Sequence, residues 1–150
     1  MLEKDLNSGI VRSLSWGFKI PDPPGIVATK ATKRPFDLFG ILAFHNEYKI
    51  VFIESKYSKT LSSFNLKRIE THQAENLTKL SDSNISNVLC LIAYGCHVAR
   101  GDTRLFLFDW KALKSRYECQ HNILKKELET LPYNSMKKGV FDIQNIIFNF

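Results

Sequence analysis

The stretch KIVFIESK at residues 49–56 constrains the folding of this chain more than any other. Its β-branched and aromatic side chains belong in a sheet, yet Glu54 and Lys56 interrupt the run with opposite charges two positions apart. In a strand that spacing puts both on one face. A buried carboxylate is costly unless a cation or a hydrogen-bond donor meets it. The strand therefore predicts partners for Glu54 elsewhere in the chain.

A second strand-like run, FDLFGILAF at 36–44, precedes it across the polar HNEY, and the two predict an antiparallel hairpin. A turn centred on Asn46 and Glu47 sets Asp37 opposite Lys56, with Glu54 diagonal to Asp37 on the same face at the ~7–8 Å usual for such neighbours. Ser55 points to the other side. Upstream, Leu2, Leu6, Ile10 and Leu14 recur at spacing four and predict an amphipathic helix over residues 2–16, with Glu3 on its apolar face. Residues 21–35 hold four of the five prolines together with Lys30, Lys33 and Arg34, and predict an extended or looped connection.

Downstream of the hairpin, Ser62 or Ser63 can cap a helix whose apolar stripe runs Leu66, Ile69, Leu77 and Leu80. Gln73 fills the gap in that stripe with an amide, and a buried amide without partners costs about 1–3 kcal/mol. Strands at 87–94 and 104–110, a helix over 111–131 and an apolar tail complete the reading. Glu3, Asp37, Glu54, Lys56 and Gln73 thus all break apolar patterns, on two helices and two strands.

With 150 residues the chain matches one domain over 1–150, a length at which folding buries about 70% of the unfolded surface. No apolar run approaches the roughly 20 residues that cross a bilayer, and the N-terminus lacks the pattern of a signal peptide. Three cysteines without metal-type spacing fit a reducing compartment. The expected location is cytoplasmic. A net charge of +6 favours a polyanionic partner. The four histidines show no zinc-type spacing, and no Gly-rich loop follows a strand to cradle a nucleotide.

An Asp followed by a hydrophobic strand carrying Glu-x-Lys is the pattern of the PD-(D/E)xK nucleases. Pro35-Phe36-Asp37 followed by Ile53-Glu54-Ser55-Lys56 resembles it, with one Phe inserted between Pro and Asp. The flanking LSSFNLKRIETHQAENL resembles the stretch after the catalytic strand in RecU-type Holliday junction resolvases, where Ser-Phe-x-Leu-Lys leads into a helix bearing His-Gln. The resemblance covers about residues 29–110.

It implies an α/β fold with the restriction-endonuclease-like core, a central mixed β-sheet flanked by helices. It further implies that Asp37, Glu54 and the Ser55 carbonyl hold Mg²⁺ or Mn²⁺, which prefer hard oxygen ligands. Lys56 would orient the attacking water and steady charge on the scissile phosphate, Gln73 would hold that water or a metal-bound group, and Glu3 resembles the helix carboxylate at the edge of such sites. Lys30, Lys33 and Arg34 before the motif, with Lys59, Lys67 and Arg68 after it, suit contacts to a DNA backbone. Symmetric cleavage of a four-way junction calls for two sites, so the resemblance implies a homodimer, joined through the 111–131 helix or the tail 143–150. The chain has no clear counterpart of the stalk with which the fuller resolvases engage junctions, unless residues 17–35 serve. Such a compact form suits a bacteriophage, in a bacterial or phage-infected cell. The same residues also fit a PD-(D/E)xK nuclease for duplex ends, flaps or foreign DNA, or a DNA-binding protein in which the charges are structural.

Overall fold

A computed structural model describes residues 3–21, 33–44, 46–142 and 145–149. One six-stranded sheet contains β1 (Trp16–Lys19), β2 (Leu38–Phe44), β3 (Glu47–Ser58), β4 (Val88–Ala99), β5 (Asp102–Asp109) and β6 (Asn134–Met136), ordered as in the sequence. Neighbours are antiparallel except β3 and β4, which run parallel. A parallel pair cannot be closed by a tight turn, and the chain crosses between these two through α2 (Thr71–Ser81). The remaining helices are α1 (Glu3–Ser13), α3 (Trp110–Glu118) and α4 (Lys125–Thr130). The protein is α/β, a mixed sheet flanked by helices.

Strand alternation separates two cores. On one face Leu6, Ile10 and Leu14 of α1 pack on Val51 and Ile53 of β3 and Leu91 and Ala93 of β4. On the other, Leu77 of α2 and Leu113 of α3 pack with Ile92, Tyr94, Phe106 and Phe108. The continuous apolar run of β4 follows from cover on both faces. The hairpin half of the α2 side keeps Trp16, Phe18, Tyr48 and Ile50 exposed. Among the described residues no helix is long and apolar enough to cross a membrane.

Several boundaries differ from expectation for identifiable reasons. The first helix stops at Ser13, and Trp16–Lys19 pairs with β2 as a strand. Gly17 and Gly40 lie opposite each other there, and a Cβ on Gly40 would stand 2.5 Å from the Trp16 carbonyl. The hairpin closes earlier than expected, with Phe44 opposite Glu47 and Asn46 in the left-handed region at φ 60°. The ladder begins at Leu38 opposite Ile53, so Asp37, whose N–H donates to Ile53 O, does not face Lys56 as expected. Because the side-chain period is two, this shift leaves every residue on its expected face.

The helix expected from Ser62 or Ser63 is instead a 3₁₀ turn, Leu66–Arg68, capped by the Asn65 side chain on Lys67 N, followed by extended Ile69 and then α2. The helix expected over 111–131 breaks between α3 and α4, where Gln120 takes φ 56° and Ile123 forms a β-bridge with Phe64. Both expected dimer surfaces are partly taken up by the core, with Leu124 and Ile147 left exposed among the described residues. Leu113 and Leu128 are core residues, and the tail is drawn inward by Phe141 and by Asn149, whose N–H donates to Leu107 O at 2.6 Å.

Gly9 of α1 is where the helix meets the C-terminal region: a Cβ there would overlap the Gly139 carbonyl and stand 2.8 Å from Met136 Cε. In an exposed helix Gly→Ala stabilises by about 1 kcal/mol. At Gly9 the expected sign is reversed: Gly9→Ala loses about 1–3 kcal/mol to overpacking, read as a lower urea midpoint at unchanged slope.

Candidate active site

The site is built at a fork in the sheet. β3 continues to Ser58, whereas the β2 ladder begins at Leu38 opposite Ile53. Asp37 sits where the two strands part. Its N–H still donates to Ile53 O at 3.1 Å, but its side chain then takes over from the backbone: Oδ2 accepts from Ser55 N at 2.9 Å and from Ser55 Oγ at 2.8 Å. Phe36, the residue inserted before Asp37, anchors the approach by packing edge-on against Phe52 at 4.8 Å between ring centroids. Bonding edges alternate along a strand, so the Ser55 carbonyl faces the same side as that of Ile53, toward Asp37.

Glu54 is fully buried on the α2 side. Its Oε1 accepts from Lys56 Nζ at 2.5 Å and from Gln73 Nε2 at 2.7 Å. Gln73 is oriented by the start of α2, where its Oε1 accepts from Glu70 N at 2.9 Å, leaving the amide nitrogen for Glu54. Glu54 Oε2 is buried and accepts no hydrogen bond. Asp37 Oδ1 has no aligned donor either, but Arg34 Nη2 stands 2.7 Å away as an ion pair.

Burial and the neighbouring Asp37 carboxylate push the Glu54 carboxyl up to about 8, against the pull of Lys56 and Arg34. Asp37, Glu54, Arg34 and Lys56 together are neutral when all are ionised. A divalent cation added to them would leave a surplus positive charge.

The donor set fits such a cation. Glu54 Oε2 lacks a partner, Asp37 Oδ1 is held by charge alone, and the Ser55 carbonyl faces the same side: hard oxygens of the kind Mg²⁺ and Mn²⁺ prefer. Among the described residues no third His, Cys, Asp or Glu joins them. Water would fill the remaining positions, as Mg²⁺ commonly arranges.

Asp37, Glu54, Ser55, Lys56 and Gln73 are thus brought together as the sequence predicts. Glu3 is half-exposed on the first turn of α1. One turn further along the same stripe, buried Asn7 reaches the site instead, where it and Asp37 Oδ2 share the Ser55 hydroxyl. The signal for Asn7 was present: it lies three residues before Ile10, on the buried stripe. Arg34 is a counter-ion of Asp37 as well as a candidate DNA contact.

Of the other basic residues, Lys33 pairs with Glu70 at 2.9 Å, and Arg68 Nη2 donates to Tyr57 O at 2.9 Å, further along the open edge of β3. Lys59 and Lys67 are exposed, and Lys30 lies outside the described residues. Lys33 and Lys67 border an open groove of about 670 Å³ with Glu70, His72 and Tyr117. That groove lies beside the carboxylates and does not contain them.

The folded protein holds the Glu54 proton up to about 8, whereas an unfolded Glu releases it near 4.5. The folded state therefore binds more protons between these values. The stability contributed by this group is complete below the lower value and is lost as pH rises through the upper one. In chelator, wild type is expected to lose stability relative to Glu54→Gln across this window in denaturant titrations; parallel pH profiles would refute the burial effect. No family model matches the chain, and no curated protein matches it significantly.

Proposed function

We propose that the chain is a metal-dependent DNA endonuclease of PD-(D/E)xK type, cutting four-way junctions as a homodimer in the cytoplasm of a bacterial or phage-infected cell. The observation that carries the chemistry is the pair of buried carboxylates, in which Glu54 Oε2 has no hydrogen-bond partner while Lys56 and Gln73 hold Oε1. A purely structural ion pair would leave no reason to strand one oxygen of a fully buried Glu next to a second carboxylate. The preference for junctions rests on the resemblance of residues 29–110 to RecU-type resolvases.

In this reading Mg²⁺ or Mn²⁺ supplies Lewis acidity and lowers the pKa of the attacking water. Asp37, Glu54 and the Ser55 carbonyl hold the cation. Ser55 N–H and its hydroxyl fix the Asp37 carboxylate through Oδ2. Gln73 fixes the Glu54 carboxylate from the α2 side. Lys56, its side chain 11% exposed, remains accessible at the mouth of the site. There its ammonium can steady the charge that builds on the scissile phosphate. The exposed Lys59 and Lys67 suit contacts to neighbouring phosphates.

The test is cleavage of a labelled four-way junction beside a linear duplex of the same sequence, with Mg²⁺, Mn²⁺ or chelator. Paired nicks near the crossover that need metal and are abolished by Glu54→Ala are expected. Lys56→Ala is expected to lower kcat by about 10²–10³-fold, the size typical of losing one transition-state donor. Equal cutting of both substrates would retain the nuclease and remove the junction preference. Tight junction binding without cutting under any metal would point to a non-enzymatic binding protein.

A further inference from the structure

We infer that the open aromatic face of β1, β2 and β3 is where a second copy of the chain docks, in a two-fold contact. The inference rests on the homodimer reading above and names the surface that makes it.

The sheet is covered unevenly. Over β4 and β5 the α2 side is closed by α2 and α3, and that core runs out at half-buried Phe52. Beyond Phe52 the same face stays open, where an apolar sheet face ordinarily packs on another layer. The register sets Trp16 in one row with Ile41 and Ile50, and Phe18 in the next row with Phe39 and Phe52. Tyr48 ends the face at 69% exposed, and Trp16 is 53% exposed. The rings are already ordered against one another: the Phe39 centroid lies 5.8 Å from Trp16, edge-on, and 5.3 Å from Phe52.

Charge selects the occupant. By strand alternation Lys19, Glu47 and Lys49 point to the α1 side, so these strands place no charged side chain on the open face before Glu54. A polyanion is held mainly through Lys and Arg, and this patch offers it neither. Copies of a chain at +6 repel each other wherever their basic surfaces meet. A neutral patch facing itself sets no like charges in opposition.

Composition and size agree. Interface centres are rich in Trp, Tyr and Phe and poor in Lys and Glu. An aromatic side chain buries about 150–250 Å², so covering the exposed halves of Trp16, Phe18 and Tyr48 removes roughly 300 Å² from water. That suits the apolar centre of a standard contact of about 800 Å² per partner. A two-fold contact needs one patch that complements itself, and two such faces pack as sheets do, about 10 Å apart. β3 carries both the patch and Glu54, which lies about 13 Å along the strand from Ile50. Both protomers' candidate sites thereby stand beside one interface, as paired nicks require.

The experiment is sedimentation velocity of the full chain across the micromolar range. Of the two tryptophans Trp110 is fully buried, so acrylamide quenching of fluorescence in the same samples reports Trp16. Wild type is expected to sediment as a dimer, with quenching that falls as concentration rises. Phe18→Glu and Tyr48→Glu, both at exposed positions, are expected to weaken the dimer at least about 30-fold, with unchanged thermal melts. Leu124→Glu and Ile147→Glu, on the helix and the tail, are expected to leave it intact. A dimer broken by either of these but not by Tyr48→Glu, or one in which Trp16 stays open to acrylamide, would overturn the inference and spare the homodimer reading. A monomer at every concentration would overturn both, while metal-dependent nicking by that monomer would leave the nuclease chemistry standing. Protection of Trp16 in the monomer by a single-stranded oligonucleotide would make nucleic acid the occupant instead.

Discussion

Everything at the site depends on the Asp37 carboxylate replacing a missing strand. Where β2 and β3 part, Ser55 N–H has no backbone partner from β2, and Asp37 Oδ2 accepts it together with the Ser55 hydroxyl. An unpaired buried N–H costs as much as a lost hydrogen bond, so the fork is stable only with an acceptor in this place. A carboxylate meets that need with one oxygen and leaves the second over. The same geometry that ends the ladder thus leaves Oδ1 to the Arg34 guanidinium at 2.7 Å.

Two carboxylates so close need positive charge, and the chain supplies one cation for each: Arg34 for Asp37 and Lys56 for Glu54. Their bonding differs. Lys56 shares Glu54 Oε1 with Gln73, whereas Arg34 faces Asp37 Oδ1 as an ion pair without hydrogen-bond alignment. Buried pairs return little net stability for the desolvation they require. The proposed role, holding a further cation and a phosphate, accounts for their arrangement better than support of the fold does.

The second support comes from the start of α2. Gln73 accepts the Glu70 N–H, which would otherwise be unsatisfied at a helix N-terminus, and turns its amide nitrogen to Glu54. Helix capping and carboxylate positioning are thus one arrangement. Glu70 also binds Lys33, and His72 holds the Arg34 backbone, so the segment before Asp37 is fastened to the same turn. The break at Ile69 that ends the 3₁₀ turn makes this possible, because a helix running unbroken from Ser63 would bury Glu70 N–H in its own ladder.

The resemblance to the nucleases pointed to the cluster of Asp37, Glu54, Lys56 and Gln73; the sequence by itself determined the hairpin, the faces of its residues and the place of Gln73 on a buried helix stripe. Each of the latter follows from a local period: two in strands and 3.6 in helices decide which side chains share a face, whatever the exact register. Tertiary structure alone decided that Asp37 meets Ser55 and not Lys56, that Asn7 and not Glu3 reaches Ser55, that Arg34 pairs with Asp37, and that the long helices predicted after Ser62 and over 111–131 break. Those outcomes depend on the turn at Asn46, on the bridge between Phe64 and Ile123, and on charges brought together across a fork. They are contacts between segments distant in the chain, and no local period encodes them.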